Sequence, residues 1–170
     1  MPATDGLLCP GPSFRLTELY ISQFSTILGQ LSGPESFASK DGRIYVGVVG
    51  GDLVSFNPDD TGAGVRFETR IGPPCPPLRH AYQENECGRI LGIEFDASGD
   101  LVIADAYYGL YKWSPGADEP PTALVPASRL IDGRPNLITN SLTISSKPEG
   151  FIYFTTSSTW ISLNSRLLSC

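Results

Sequence analysis

Glycine-closed turns recur along this chain at a spacing that few folds can accommodate. Three segments share one pattern: "ESFASKDGRIYVGVVGGDLVSFNP", "LGIEFDASGDLVIADAYYGLYKWSP" and "NSLTISSKPEGFIYFTTSSTWISLN". Each has a short apolar strand, a turn ending in glycine, a second strand of β-branched and aromatic residues, and a third apolar stretch. The turn glycines are Gly42, Gly99 and Gly150, 57 and 51 positions apart. "DG", "SG" and "EG" supply the positive φ that tight hairpins need. A period near fifty residues built from hairpins is that of propeller blades. The expected fold is therefore all-β, a partial β-propeller of about three blades of antiparallel strands. Second strands are expected at 43–48, 101–104 and 151–155, and first strands starting near Phe37, Ile93 and Leu142. "GGDLVSF" and "YGLYKW" fit a third strand. The one stretch with helical potential, residues 15–28, reads equally as an outer strand leading into the first blade.

Composition agrees with a turn-rich domain or a piece of one. The 170 residues are 41% apolar, with 18 Gly and 15 Pro, which favours many short strands over helices. Net charge is −6 and no basic cluster is present, so a nucleic-acid or polyanion partner is not expected. No apolar run reaches the length of a membrane span, and the first residues lack a signal-peptide pattern. From this the chain is expected to be cytosolic, or else to lack its targeting segment. Propellers close with four to eight blades. Three leave raw edges, so part of a larger fold is expected: residues 1–32 leading in, 33–160 forming the blades, and 161–170 a divergent tail.

Glu35, in "GPESF", stands out in a chain sparing with charge. Proline fixes its own φ and biases its predecessor to extended geometry, so Glu35 sits at a defined place ahead of a strand. Aligning Phe37, Ile93 and Leu142 makes Glu35, Leu91 and Asn140 equivalent. First strands line a propeller's channel, so Glu35 and Asn140 would converge at one mouth. A carboxylate and a carboxamide oxygen are hard ligands of the kind Ca²⁺ selects. The bland alternative is a solvated turn Glu and a turn-forming Asn. The same alignment sets Val48, Asp105 and Thr156 at one level, which makes Asp105 a further polar channel candidate if its side chain faces inward. His80 lies in a polar loop and reads as surface. No Ser-His-Asp order, nucleophile elbow or phosphate loop is present. Of four cysteines, Cys75 and Cys87 flank "PPLRHAYQENE". Spacing alone leaves a disulfide or two free thiols equally open there.

"GPES", "CGRILGIEFDASGDLVIADAYYGLYKW", "TNSLTI" and "IYFTTSSTW" together resemble the strictosidine synthase-like family, in its animal adipocyte plasma membrane-associated protein and hemomucin branch. The resemblance runs from about Leu16 to Trp160. It implies a six-bladed propeller, distantly related to paraoxonases and gluconolactonase-type hydrolases. In those relatives a channel Ca²⁺ is held by Glu, Asn and Asp from several blades. Carried over, the metal ligands are Glu35 and Asn140. The resemblance also implies a disulfide between Cys75 and Cys87, with Cys9 and Cys170 free, and an extracytoplasmic location (ER lumen, cell surface or secreted). Membrane attachment would need an anchor that the branch usually carries and this chain lacks.

Departures from the family pattern shape the functional expectation. Ser141 and Thr156 stand where the family has Asp, and the residues after Trp160 diverge where relatives continue through further blades. The catalytic Glu of the plant synthases has no counterpart, so alkaloid condensation is not supported. Two readings follow. The full-length parent would be a weak Ca²⁺-dependent arylesterase or lactonase acting on a small ester or lactone, with this chain inactive. Alternatively the fold is a non-catalytic cell-surface or luminal binding scaffold. With two ligands against the six to eight oxygens Ca²⁺ takes, binding here is expected to be weak, with Glu35 ionised, solvated and unpaired.

Overall fold

The computed structural model describes residues 31–60, 62, 64–75, 83–146 and 150–158. The helical candidate at 15–28, His80, Cys9, Cys170 and the divergent tail lie outside the described residues. Among these residues ten strands and one helical turn follow in chain order: β1 (Ser36–Lys40), β2 (Arg43–Gly47), β3 (Asp52–Phe56), β4 (Arg66–Arg70), α1 (Glu84–Cys87), β5 (Ile90–Phe95), β6 (Leu101–Asp105), β7 (Gly109–Trp113), β8 (Thr122–Pro126), β9 (Leu137–Ile144) and β10 (Ile152–Ser158). They form two four-stranded sheets, β1-β2-β3-β4 and β5-β6-β7-β8, and a two-stranded sheet of β9 and β10. All neighbours are antiparallel.

The hairpins form where the turn glycines predict, and Gly42, Gly99 and Gly150 adopt φ of 73°, 84° and 61°. Several bounds differ from expectation. β5 and β9 begin earlier, at Ile90 and Leu137, and β10 extends to Ser158. The first two sheets carry a fourth strand that the three-strand reading did not anticipate. β4 ("RFETR") and β8 ("TALVP") are mostly exposed or half-buried, so they lack the apolar alternation that marks a core strand. The segment between the paired cysteines ends in a helical turn, α1, where a loop was expected.

Register explains why the three segments look alike. Phe37 pairs with Val46, Ile93 with Ile103 and Leu142 with Phe154, so in each sheet the aligned first-strand residue meets the residue four positions after the turn glycine, although the hairpins differ in length. The sheets stack face to face, and β6 sits between the other two. Its Leu101 and Ile103 join Tyr45, Leu53, Ile90, Ile93 and Trp113 on one side. Its Val102 and Ala104, with Leu110, meet Leu142, Ile144, Ile152 and Phe154 on the other. Burial on both faces is why "LVIA" is an unbroken apolar run rather than an alternating one. Full burial of one such Leu contributes about 1.5–3 kcal/mol. First strands lie side by side, β1 on β5 and β5 on β9. Stacked antiparallel sheets with adjacent first strands make this a partial β-propeller.

Candidate functional site

First strands begin, and second strands end, at one edge of the stacked sheets. There "GPES" and "CGR" meet. Gly33 has φ +55°, and a Cβ on it would come within 2.6 Å of Val49 Cγ2 and 3.6 Å of Arg89 Nη2. Glycine therefore serves two needs, a left-handed backbone and a close approach. The chain then turns so that Glu35 Oε1 accepts a hydrogen bond from Arg89 Nη2 at 2.5 Å. Arg89 Nη1 donates to Glu84 Oε1 at 2.6 Å. Ser36 Oγ accepts from the Ile93 backbone N–H at 3.1 Å. Glu35 and Ser36 thus both bind across to the second sheet.

Arg89 is well anchored. Its backbone bridges to Val49 of the first sheet, and its carbonyl accepts from the Ala106 N–H at 2.9 Å. Its side chain is 18% exposed against 46% for that of Glu35. Burial alone would lower the guanidinium's pKa, but the hydrogen bonds to Glu35 and Glu84 outweigh it and hold the group above its ordinary range. Glu35 is exposed as expected from sequence, but the expectation that it is unpaired is corrected here: its carboxylate is ion-paired with Arg89. Sequence reasoning missed Arg89 and Glu84, because Arg89 pairs with Glu35 far away along the chain and with Glu84 in a helical turn that carries no periodic signal.

Asn140 stands at the same edge of the third sheet. It is exposed, and its Nδ2 donates to Ser157 Oγ at 2.9 Å. Among the described residues it shares no hydrogen-bond partner with Glu35. Its position coincides with a bulge. Thr139 pairs with Thr156 and Leu142 with Phe154, so Asn140 and Ser141 together face Thr155. The second sheet bulges at the aligned place: Ile90 pairs with Asp105 and Gly92 with Ala104, leaving Leu91 extra. Bulges bend a strand and re-aim a side chain.

Asp105 turns into the protein. It is 0% exposed, and its Oδ1 accepts from the backbone N–H groups of Tyr107 at 2.9 Å and Tyr108 at 3.0 Å. Its Oδ2 is buried with no hydrogen-bond partner among the described residues. Burial pushes its pKa up to about 6, against the pull of the backbone donors. Nearby, burial and then the Glu84 charge push the Tyr107 phenol up to about 12. Thr156, at the level of Asp105 in the third sheet, donates to Asn136 Oδ1 at 2.7 Å, and Thr139 donates to the same oxygen at 3.2 Å. Asn136 is itself buried. Cys75 and Cys87 are disulfide-bonded, with Cα atoms 5.5 Å apart. The bond ties α1, and with it Glu84, to the end of the first sheet.

The metal expectation can be weighed against this donor set. Glu35 already holds a guanidinium, and Asn140 offers one further oxygen. Ca²⁺ takes six to eight. Among the described residues no group of three or more His, Cys, Asp or Glu side chains is arranged to hold a metal ion. The described residues do not by themselves fit Ca²⁺.

Comparison with known proteins bears on identity. Residues 25–56 match the family model described as "Strictosidine synthase-like, N-terminal". Adipocyte plasma membrane-associated protein Hemomucin of Drosophila melanogaster is 38% identical over 134 residues, covering 76% of this chain and 22% of that protein. Adipocyte plasma membrane-associated protein of Salmo salar is 37% identical over 151 residues, covering 88% and 33%. Strictosidine synthase-like protein 3 of Arabidopsis thaliana is 36% identical over 140 residues, covering 78% and 34%. The chain thus spans about a third or less of these relatives. Among solved structures, the extracellular domain of a one-component system of B. thetaiotaomicron shares the fold, with TM-score 0.50 and 18% identity over 72% of this chain and 14% of that one. No helix among the described residues is long and apolar enough to cross a membrane. The quoted motifs, the blade register and these matches agree: the chain belongs to the strictosidine synthase-like family, alongside the adipocyte plasma membrane-associated protein and hemomucin branch.

Proposed function

We propose that this chain does no chemistry of its own and serves as a binding scaffold, a propeller arc whose mouth is closed by ion pairing. One observation carries the reading: Arg89 holds the Glu35 and Glu84 carboxylates at 2.5 Å and 2.6 Å. A carboxylate committed to a guanidinium is a poor general base and a poor metal ligand. Asp105, pushed up to about 6, has a pKa suited to proton transfer near neutrality but no exposed surface to present to a substrate. Turnover of aryl esters and lactones, with and without a chelator, tests this. The scaffold reading expects no turnover and no metal dependence. Chelator-sensitive hydrolysis by this chain would overturn it.

A second reading concerns the complete family fold, as a weak arylesterase or lactonase. It is supported by the aligned bulges at Leu91 and Asn140, which leave Asn140 exposed at the mouth with its carboxamide oxygen uncommitted among the described residues. If Ca²⁺ is held there by Glu35, Asn140 and residues beyond this chain, it would polarise a substrate carbonyl. Hydrolysis by a full-length relative, lost on the equivalent of Asn140→Ala, is the expected result. Unchanged hydrolysis would reject Asn140 as a participant. An extracytoplasmic location belongs to the same proposal. Relatives are named as plasma membrane-associated, and the Cys75–Cys87 bond suits an oxidising compartment. Recovery of the native chain with both thiols reduced would count against it.

A further inference from the structure

We infer that Arg89 is the resident cation of this mouth: its guanidinium takes the place at Glu35 that the family resemblance assigns to Ca²⁺, so the two compete for one carboxylate. The inference deepens the reading of a mouth closed by ion pairing and rests on it. Three observations carry it. Two carboxylates from different elements, Glu35 ahead of β1 and Glu84 in α1, converge on the two Nη atoms of a single side chain. The turn that presents Glu35 is itself fixed: Gly33 takes φ +55° and packs so closely on the chain that a Cβ there would lie 2.6 Å from Val49 Cγ2. Arg89 is fixed from behind by backbone bonds to both sheets, so the guanidinium is delivered to Glu35 by the fold rather than by chance.

The chemistry follows from charge and geometry. A guanidinium presents a planar fork of donors and stays ionised, so it satisfies a carboxylate permanently without metal supply. A divalent ion at Glu35 would first have to displace it, and would gain few oxygens in return. Removing the guanidinium leaves Glu35 and Glu84 without the cation they share, which makes an added cation stabilising. Arg89 is thus a specificity-determining residue that keeps the mouth indifferent to Ca²⁺.

The experiment reads thermal stability and Ca²⁺ binding, not turnover, so it can fail independently of the scaffold reading. The native chain is titrated with Ca²⁺ alone by calorimetry and melted in Ca²⁺ or chelator, beside Arg89→Gln, Arg89→Lys and the double variant Arg89→Gln/Glu35→Gln. The native chain and Arg89→Lys are expected to melt alike in Ca²⁺ and chelator. Arg89→Gln is expected to bind Ca²⁺ at least tenfold more tightly than the native chain and to melt higher in its presence, an effect lost in the double variant. If Arg89→Gln folds only with added Ca²⁺, competition is equally supported. Arg89→Gln that binds no better than the native chain, or stays unfolded with Ca²⁺, overturns the inference. So does tight Ca²⁺ binding by the native chain that Glu35→Gln abolishes.

Discussion

Asp105→Asn should reverse part of the acid dependence of stability in this fold. Asp105 has no exposed surface, two backbone donors on Oδ1 and, among the described residues, no partner on Oδ2. Burial lifts its pKa from 3.8 to about 6. Between those values the folded chain holds a proton that the unfolded chain has released. The contribution of this group is therefore greatest below pH 3.8 and is lost as pH rises through about 6. The shift corresponds to about 3 kcal/mol between the two limits. Asparagine keeps an oxygen for the Tyr107 and Tyr108 amides and carries no charge at any pH. Relative to Asp105, the variant should gain about 3 kcal/mol on going from pH 3.5 to pH 7.5, or roughly 6–12 °C in melting temperature for a chain this size. The gain is a difference between two pH values, so a constant cost of the unpartnered amide cancels. Urea unfolding of both proteins across this range provides the assay. Parallel stability curves would refute the argument, because they would mean that the carboxyl titrates alike in folded and unfolded chains.

Other outcomes follow from neighbouring features. Cys87→Ser removes a cross-link spanning a sequence separation of 12 and should cost roughly 2–5 kcal/mol, read as a lower urea midpoint; an unchanged midpoint would mean that the bond constrains little. Non-reducing peptide mapping of the native chain should recover residues 75 and 87 in one linked species. Gly33→Ala places a Cβ 2.6 Å from Val49 Cγ2 at φ +55°, and about 1–3 kcal/mol of destabilisation is expected from backbone strain and overpacking, measured by the same denaturation.

Much of the architecture was legible because it rests on local rules. Turn glycines must lie where hairpins need positive φ, and second strands buried on both faces must be apolar, so "RIYVG" and "LVIAD" declare themselves. The outer strands did not, because a mostly exposed strand such as "TALVP" is under no comparable pressure. The disulfide shows a middle case. Spacing left it open, since twelve residues of separation fit a bond or a plain loop, and only resemblance to a family favoured the bond.

Glu35 shows where local rules run out. Its neighbours Gly33 and Pro34 mark a shaped turn, which the sequence makes plain, but the partner of its carboxylate is Arg89, 54 residues on. A pairing across two sheets leaves no periodicity to detect. What it does leave is compositional. Arg89 is the one charged residue in "CGRILGI", directly ahead of four residues without charge, Ile90 to Ile93, and a cation there needs a carboxylate from elsewhere. Asp105 in "VIADAY" carries the same kind of signal with the opposite resolution: an acid in an apolar run that finds backbone amides rather than a cation. A charge embedded in a strand buried on both faces must be neutralised by a partner, a proton or a turn. At this mouth Arg89 takes the first course, and Asp105, with one oxygen in its turn and the other unpartnered, divides itself between the other two.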